Sequence, residues 1–292
     1  MMSYILELQD VSKSFKDFSL EDISFTLKPG YIMGLIGSNG AGKSTTIKLI
    51  LNLMKKDKGS IKVFGLDHIQ NERDIKQRIG FVLDQNYYYE DLTILEMKNI
   101  IAPTYKKWVD TTFNKYLKEF NLPPKKKIKD LSKGMQMKYS LAIALSHDAD
   151  LLIMDEPTSG LDPIVRSELL DILSYVIQDE SKAILFSTHI TSDLDKIADF
   201  ITFINDGKLI FSMSKEDIHD NYAVIKGKTE FIEKLESRNV KEHIIGLREN
   251  KYGFEALTDN KNSIESIFGN NLVMEKPTLE DIMVFYKKGV LK

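Results

Sequence analysis

Residues Gly37-Ser38-Asn39-Gly40-Ala41-Gly42-Lys43-Ser44 have the spacing Gly, four residues, Gly-Lys-Ser. An apolar, strand-like run, Tyr31 to Gly37, leads into them. A helical pattern follows, with Ile47, Leu49, Ile50 and Leu53 at helical spacing. A strand that turns through glycines into a helix aims successive backbone N–H groups at one point, at the positive end of the helix, where phosphate oxygens bind. Lys43 is then placed to reach β- and γ-phosphates, and the Ser44 hydroxyl is placed for Mg²⁺, with Thr45 beside it.

The rest of the chain agrees with such a unit. Strands are expected at Ile5–Val11, Ile23–Leu27, Ile61–Phe64, Gly80–Leu83, Asp150–Asp155, Ala183–Ser187 and Phe200–Ile204, with Asn205-Asp206-Gly207 turning into Lys208–Phe211. Helical patterns at Leu92–Ile101, Val109–Phe120, Gly134–Leu145 and Val165–Ile177 alternate with them, which implies an α/β fold with a mainly parallel central sheet and antiparallel N-terminal strands. Residues of about 86–148 lack strand signals and read as a helical insertion. Beyond Phe211 the order becomes strand-helix-strand-strand-helix-strand, the pattern of a small ferredoxin-like α+β domain. A last helix is announced by Thr278 with Asp281 three residues on. The expected domains are 1–212 and 213–292, in keeping with 292 residues at about 150 per domain.

Composition excludes several alternatives. Lys+Arg number 40 and Asp+Glu 43, a net charge of −3, so nothing points to nucleic acid. The basic run Lys125–Lys127 reads as a solvated loop. No cysteine is present, which rules out thiolate metal sites and cysteine nucleophiles. No apolar run reaches the ~18 residues of a membrane span. The start, Met1-Met2-Ser3-Tyr4, lacks a signal-peptide pattern, and cytoplasmic residence is expected.

Leu151-Leu152-Ile153-Met154-Asp155-Glu156 is an apolar strand ending in two acids. Apolar residues on both faces mark a central strand, whose carboxyl end is where parallel sheets bind ligands. Asp155 is placed to hold Mg²⁺ through water, and Glu156 is the candidate general base for an attacking water.

With these residues in place the chain resembles the nucleotide-binding subunit of ABC transporters, a P-loop NTPase family. Leu131-Ser132-Lys133-Gly134-Met135 stands where the family carries Leu-Ser-Gly-Gly-Gln, Ser159-Gly160-Leu161-Asp162 resembles its D-loop, and Ser187-Thr188-His189 its histidine switch. The resemblance covers Leu6 to Phe211. It implies a head-to-tail dimer with two ATP molecules at the interface, each held by one subunit's phosphate loop and the other's signature (Ser132, Lys133, Gly134, Met135). It also implies His189 at the γ-phosphate, Asp162 in the D-loop, and Phe15 stacking on adenine, with Phe18 a rival. The family's glutamine after the strand at Gly80–Leu83 falls at Asp84 or Gln85; either could serve at Mg²⁺, Gln85 slightly favoured. Lys133 and Met135 depart from the family's glycine and glutamine. Lys133 either adds charge at the γ-phosphate or points to solvent, and the relaxed signature leaves open a homodimer or a heterodimer with a second ABC ATPase.

Gln136-Met137-Lys138 and the tail Pro277–Ile282 resemble ABC-2-type exporters of Gram-positive bacteria, a subgroup that serves export of peptides and toxins, phenol-soluble modulins among them. The implied role is a Mg²⁺-dependent ATPase that powers a separate transmembrane permease from the cytoplasmic face of the membrane, with no nucleic-acid partner. Asn86-Tyr87-Tyr88-Tyr89 either docks that partner or packs locally. Two rivals are an ABC-type ATPase acting on ribosomes or nucleic acid, which long coiled-coil insertions or a tandem ATPase domain would mark, and a P-loop small-molecule kinase, which would not need the signature.

Overall fold

The computed structural model describes residues 4–83, 88–235 and 237–288. In chain order, β1 (Leu6–Ser14), β2 (Ser19–Leu27) and β3 (Ile32–Ile36) lead into α1 (Lys43–Ile50). Next come β4 (Lys58–Val63), β5 (Leu66–Asp67), α2 (Glu72–Lys76) and β6 (Ile79–Val82). Three helices follow, α3 (Ile94–Ile101), α4 (Asp110–Glu119) and α5 (Lys133–Leu145). Then β7 (Leu151–Asp155), α6 (Pro163–Val176), β8 (Ala183–Thr188), α7 (Thr191–Ile197), β9 (Phe200–Asn205) and β10 (Lys208–Ser214) complete the large sheet.

That sheet has ten strands in the order β5-β4-β1-β2-β10-β9-β3-β8-β7-β6. The five from β9 to β6 are parallel neighbours, whereas β1, β2, β4 and β5 pair antiparallel. The split follows from the side chains. Every residue of β3, β7 and β8 is buried, so these strands carry apolar residues on both faces and lie between β9 and β6 inside the parallel part of the sheet. In β1 and β2 exposed and buried positions are mixed, as in strands with one wet face. Because β3, β7 and β8 run the same way, the segments after Ile36, Asp155 and Thr188 emerge at one end of the sheet.

Between β6 and β7 the described residues form helices and no strand. A capping box starts α3: Glu96 N–H donates to Thr93 Oγ1 at 3.2 Å, and Thr93 N–H donates to Glu96 Oε2 at 2.8 Å. The fully buried Tyr139 of α5 donates to the Ile94 carbonyl at 3.3 Å and meets Phe113 of α4 edge to face. The α5 helix also packs on β6, where a Cβ on Gly80 would stand 2.6 Å from Leu152 Cδ2 and 3.0 Å from the Ala144 carbonyl oxygen.

The described residues divide into two compact units, one within 1–190 and 197–212, the other within 191–196 and 213–292. The division differs from a single cut at 212, because Thr191–Lys196 of α7 group with the C-terminal unit. That unit continues with α8 (Lys215–Asn221), β11 (Ala223–Gly227), α9 (Ile232–Leu235), α10 (Arg238–Lys241), β12 (Ile244–Asn250), β13 (Gly253–Thr258), α11 (Lys261–Phe268), β14 (Val273–Glu275) and α12 (Leu279–Lys288). Its antiparallel sheet, β12-β13-β11-β14, has the order of a split βαβ motif. It has its own apolar core, including Ile225, Phe254, Ile264 and Phe268. Thr278 and Asp281 cap α12 reciprocally, at 3.0 and 2.9 Å.

Gly80→Ala should lower stability by about 1–3 kcal/mol, the usual range for overpacking, because the Ala144 carbonyl is backbone and cannot rotate away. A urea midpoint equal to wild type would show that β6 and α5 separate at no cost.

Candidate active site

At the end of β3 the backbone turns because Gly37 has no side chain: a Cβ there would lie 2.3 Å from the Ile204 carbonyl oxygen of β9. At the start of α1, Gly42 has φ +116°, a left-handed conformation open to glycine, and a Cβ would meet Leu20 at 2.7 Å. No side chain caps α1, and its first turn holds no acid. The positive end of the helix therefore faces a cleft of about 580 Å³ lined by Ser38, Asn39, Gly40, Ala41, Gly42, Lys43, Ser44 and Thr45, with Phe18, Glu156, Ser159 and His189.

Lys43 is 5% exposed, and its Nζ donates to the carbonyls of Gly37 at 2.8 Å and Ser38 at 3.4 Å. Glu156 Oε1 lies 3.3 Å from the same nitrogen. The other Glu156 oxygen, Oε2, is 2.7 Å from His189 Nδ1 and accepts the His189 N–H at 3.2 Å. Glu156 thus bridges Lys43 and His189. It does so from a left-handed backbone, φ +50°, which costs a non-glycine residue about 1–2 kcal/mol. What holds it is Ser187 of β8, whose carbonyl and hydroxyl accept the Glu156 N–H at 3.0 and 3.2 Å. The Ser187 hydroxyl in turn donates to Asp155 Oδ1 at 2.6 Å, so one buried serine fixes both acids.

The motifs therefore bring Lys43, Ser44, Glu156 and His189 into one cleft, with Asp155 buried just behind it. Ser44 and Asp155 offer hard oxygen donors of the kind Mg²⁺ takes. Among the described residues no group of three or more His, Asp or Glu is placed to hold a metal ion by itself. Phe15, 42% exposed, lines an adjoining cleft of about 510 Å³ that shares Phe18 and Gly40 with the first. Phe18, by contrast, packs on the core beside Gly42. Asp84 and Gln85, like Asn86 and Tyr87, lie outside the described residues. Tyr88 packs edge to face on Tyr139, and burial pushes its hydroxyl up to about 12, opposed by a hydrogen bond with Ser140; Tyr89 is exposed.

The signature residues do not line the Lys43 cleft. Ser132 caps α5 by accepting the Met135 N–H at 3.2 Å, and Gly134 faces Val165 of α6. Lys133 lies along Gly160, its Nζ 3.0 Å from where a Cβ would be. Asp162 caps α6, accepting the N–H groups of Ile164 and Val165 at 3.0 and 3.1 Å. Sequence reasoning gave Ser187 and Ser159 no separate role; the signal for Ser187 was its place in the strand that precedes His189.

The family model described as "ABC transporter" matches residues 20–159, from β2 past both acids. The bacitracin transport ATP-binding protein BcrA of Bacillus licheniformis is 34% identical over 212 residues, which cover 72% of this chain and 69% of BcrA. The chain belongs to the ABC transporter family, as an ATP-binding subunit. The lantibiotic transport ATP-binding protein SrtF of Streptococcus pyogenes is also 34% identical, over 209 residues covering 70% of this ABC ATPase and 89% of SrtF. A solved ATP-binding subunit of an ABC transporter superposes with a TM-score of 0.67 at 29% identity, over 74% of this chain and 92% of that one.

In this ABC ATPase, Ser187→Ala removes the hydroxyl on which Asp155 and the Glu156 N–H both rest. Leaving a buried carboxylate without its donor should cost about 1–3 kcal/mol, read as a lower denaturation midpoint. An unchanged midpoint would mean that the link carries no stabilisation.

Proposed function

We propose that this ABC ATPase binds ATP with its phosphates in the Lys43 cleft and its adenine against Phe15, and hydrolyses it with Glu156 as general base. The observation that carries this reading is the Glu156 bridge between Lys43 and His189 at the end of the phosphate loop. An entering γ-phosphate competes with Glu156 for the Lys43 ammonium, which frees one carboxylate oxygen to take a proton from water while His189 orients the other. Ser44 and Asp155 would hold Mg²⁺, joined by Asp84 or Gln85, which follow β6; the ion, when bound, neutralises phosphate charge.

Because Ser132, Lys133, Gly134 and Met135 sit apart from their own chain's cleft, a second ATPase subunit completes each site. The end of α5 is suited to this: its N–H groups and dipole favour an anion, and Lys133 adds charge. The replacement of the usual signature residues is compatible with a copy of this chain or a non-identical ATPase as the second subunit. In the described residues no helix is long and apolar enough to cross a membrane. On this reading the work of the dimer is delivered to a separate transmembrane permease, from the cytoplasmic face. The relatives named for bacitracin and lantibiotic transport support export of a peptide or similar amphipathic compound. Phenol-soluble modulin-like peptides belong to that chemical class.

Glu156→Gln should bind ATP about as tightly as wild type while turnover falls roughly 10²–10⁴-fold, the usual contribution of a positioned base; turnover near wild type would remove Glu156 from that role. Purification from native membranes should recover a multi-span permease, and recovery of the ATPase alone, under conditions that preserve complexes, would count against the transport reading.

A further inference from the structure

His189 is the last residue but one before the chain passes from one compact unit into the other. Upstream, Thr188 ends β8 and is held in register with Ile36 of β3. His189 itself is tied to Glu156 by its N–H and by Nδ1. Downstream, α7 begins at Thr191, and Thr191–Lys196 group with the C-terminal unit. The link is Ile190, whose N–H donates to Thr188 Oγ1 at 2.9 Å. Two extended residues span at most about 7 Å, so His189 has little slack between β8 and α7.

A seven-residue helix is not stable by itself, and its place is set by what it packs on. Thr191, Asp193 and Leu194 are buried. Near the carboxyl end of α7, the Asp195 carbonyl accepts a hydrogen bond from Lys215 Nζ at 3.0 Å. This satisfies one of the carbonyls that a helix end leaves unpaired, and it sets a cation on the negative end of the dipole. Lys215 is the first residue of α8, whose cap Ser214 accepts the Asp217 N–H at 3.0 Å. The groups facing Asp195 come from two further helices of the same unit. Burial pushes its carboxyl up, Lys215 and His219 of α8 oppose that, and Asp281 of α12 adds to it. His219 Nδ1 is buried with no hydrogen-bond partner.

We propose that α7, anchored through Lys215, is the positioning element for His189, so that the C-terminal unit sets where this side chain stands in the ATP site. The proposal rests on His189 acting at the γ-phosphate. It gives the C-terminal unit a defined route to catalysis: whatever displaces α7 within that unit pulls on His189, and leaves the phosphate loop, which other strands hold, in place.

The test is made on the full chain with Lys215→Ala and Lys215→Arg. Hydrogen exchange of the His189 and Ile190 amides should quicken about tenfold in the alanine variant and return toward wild type in the arginine variant. The kcat for ATP should fall about three- to tenfold with KM within about twofold of wild type, because positioning and not binding is lost. In a His189→Ala background, Lys215→Ala should cause no further loss. Lys215→Gln, which keeps most of the stem without the charge, should fall between the two and replaces the alanine variant if that one does not fold. Wild-type exchange at His189 and Ile190, with faster exchange confined to α7 and α8, would overturn the proposal. Faster exchange at His189 with unchanged kcat would keep the positioning and overturn the γ-phosphate role of His189.

Discussion

A Cβ on Gly37 would come within 2.3 Å of the Ile204 carbonyl oxygen, and the phosphate loop depends on the closeness that glycine permits there. Ile204 belongs to β9, which reaches its place beside β3 through parallel pairing. Any side chain at position 37 must push β9 away or bend β3 before the turn has begun. Gly42, pressed by Leu20 of β2, repeats the constraint where the loop becomes α1. The loop is therefore shaped from outside by two strands of the sheet, and its N–H groups are aimed before any phosphate arrives. Preorganised donors of this kind cost no rearrangement at the moment of binding.

The same end of the sheet holds three ionisable groups in close contact, and their partners explain why that is tolerable. A buried ammonium with no partner is costly, and Lys43 has two loop carbonyls and one carboxylate. Glu156 must reach both Lys43 and His189, and only a left-handed backbone at the strand end turns it that way. The cost of that conformation is of the order of 1–2 kcal/mol, and the two Ser187 contacts to the Glu156 N–H offset it. Strain kept at one candidate catalytic residue, and held by a neighbouring strand, is the usual place for it.

What was legible in the sequence follows from how local each signal is. The phosphate loop, the acidic strand and the Thr278–Asp281 cap of α12 are written within a few residues, and the helices α3, α5 and α6 show in their apolar spacing. The alternation of apolar strands and helices carried the α/β class. Short charged helices were not readable: α2, α7 and α8 contain no apolar stripe long enough to separate them from loops. Non-local links were hidden for another reason. Nothing near Ser187 says that its hydroxyl reaches Asp155, 32 residues away. Nothing near Thr191 says that α7 groups with residues after 213.

Lys133 shows how a departure from the common signature acquires a structural meaning once neighbours are known. Its stem lies along Gly160, and the adjacent Gly134 lets Val165 approach to 3.2 Å of where a Cβ would be. The start of α5 and the start of α6 are thus packed on each other through two glycines. Ser132 caps the one and Asp162 caps the other, both using side-chain oxygens on backbone N–H groups. In the proposed dimer these are the two segments that meet the second subunit. At each glycine a single side chain, Lys133 on Gly160 and Val165 on Gly134, fills the space that a Cβ would take. A glycine at position 133 would have left Gly160 uncovered on that side; the lysine stem fills the gap.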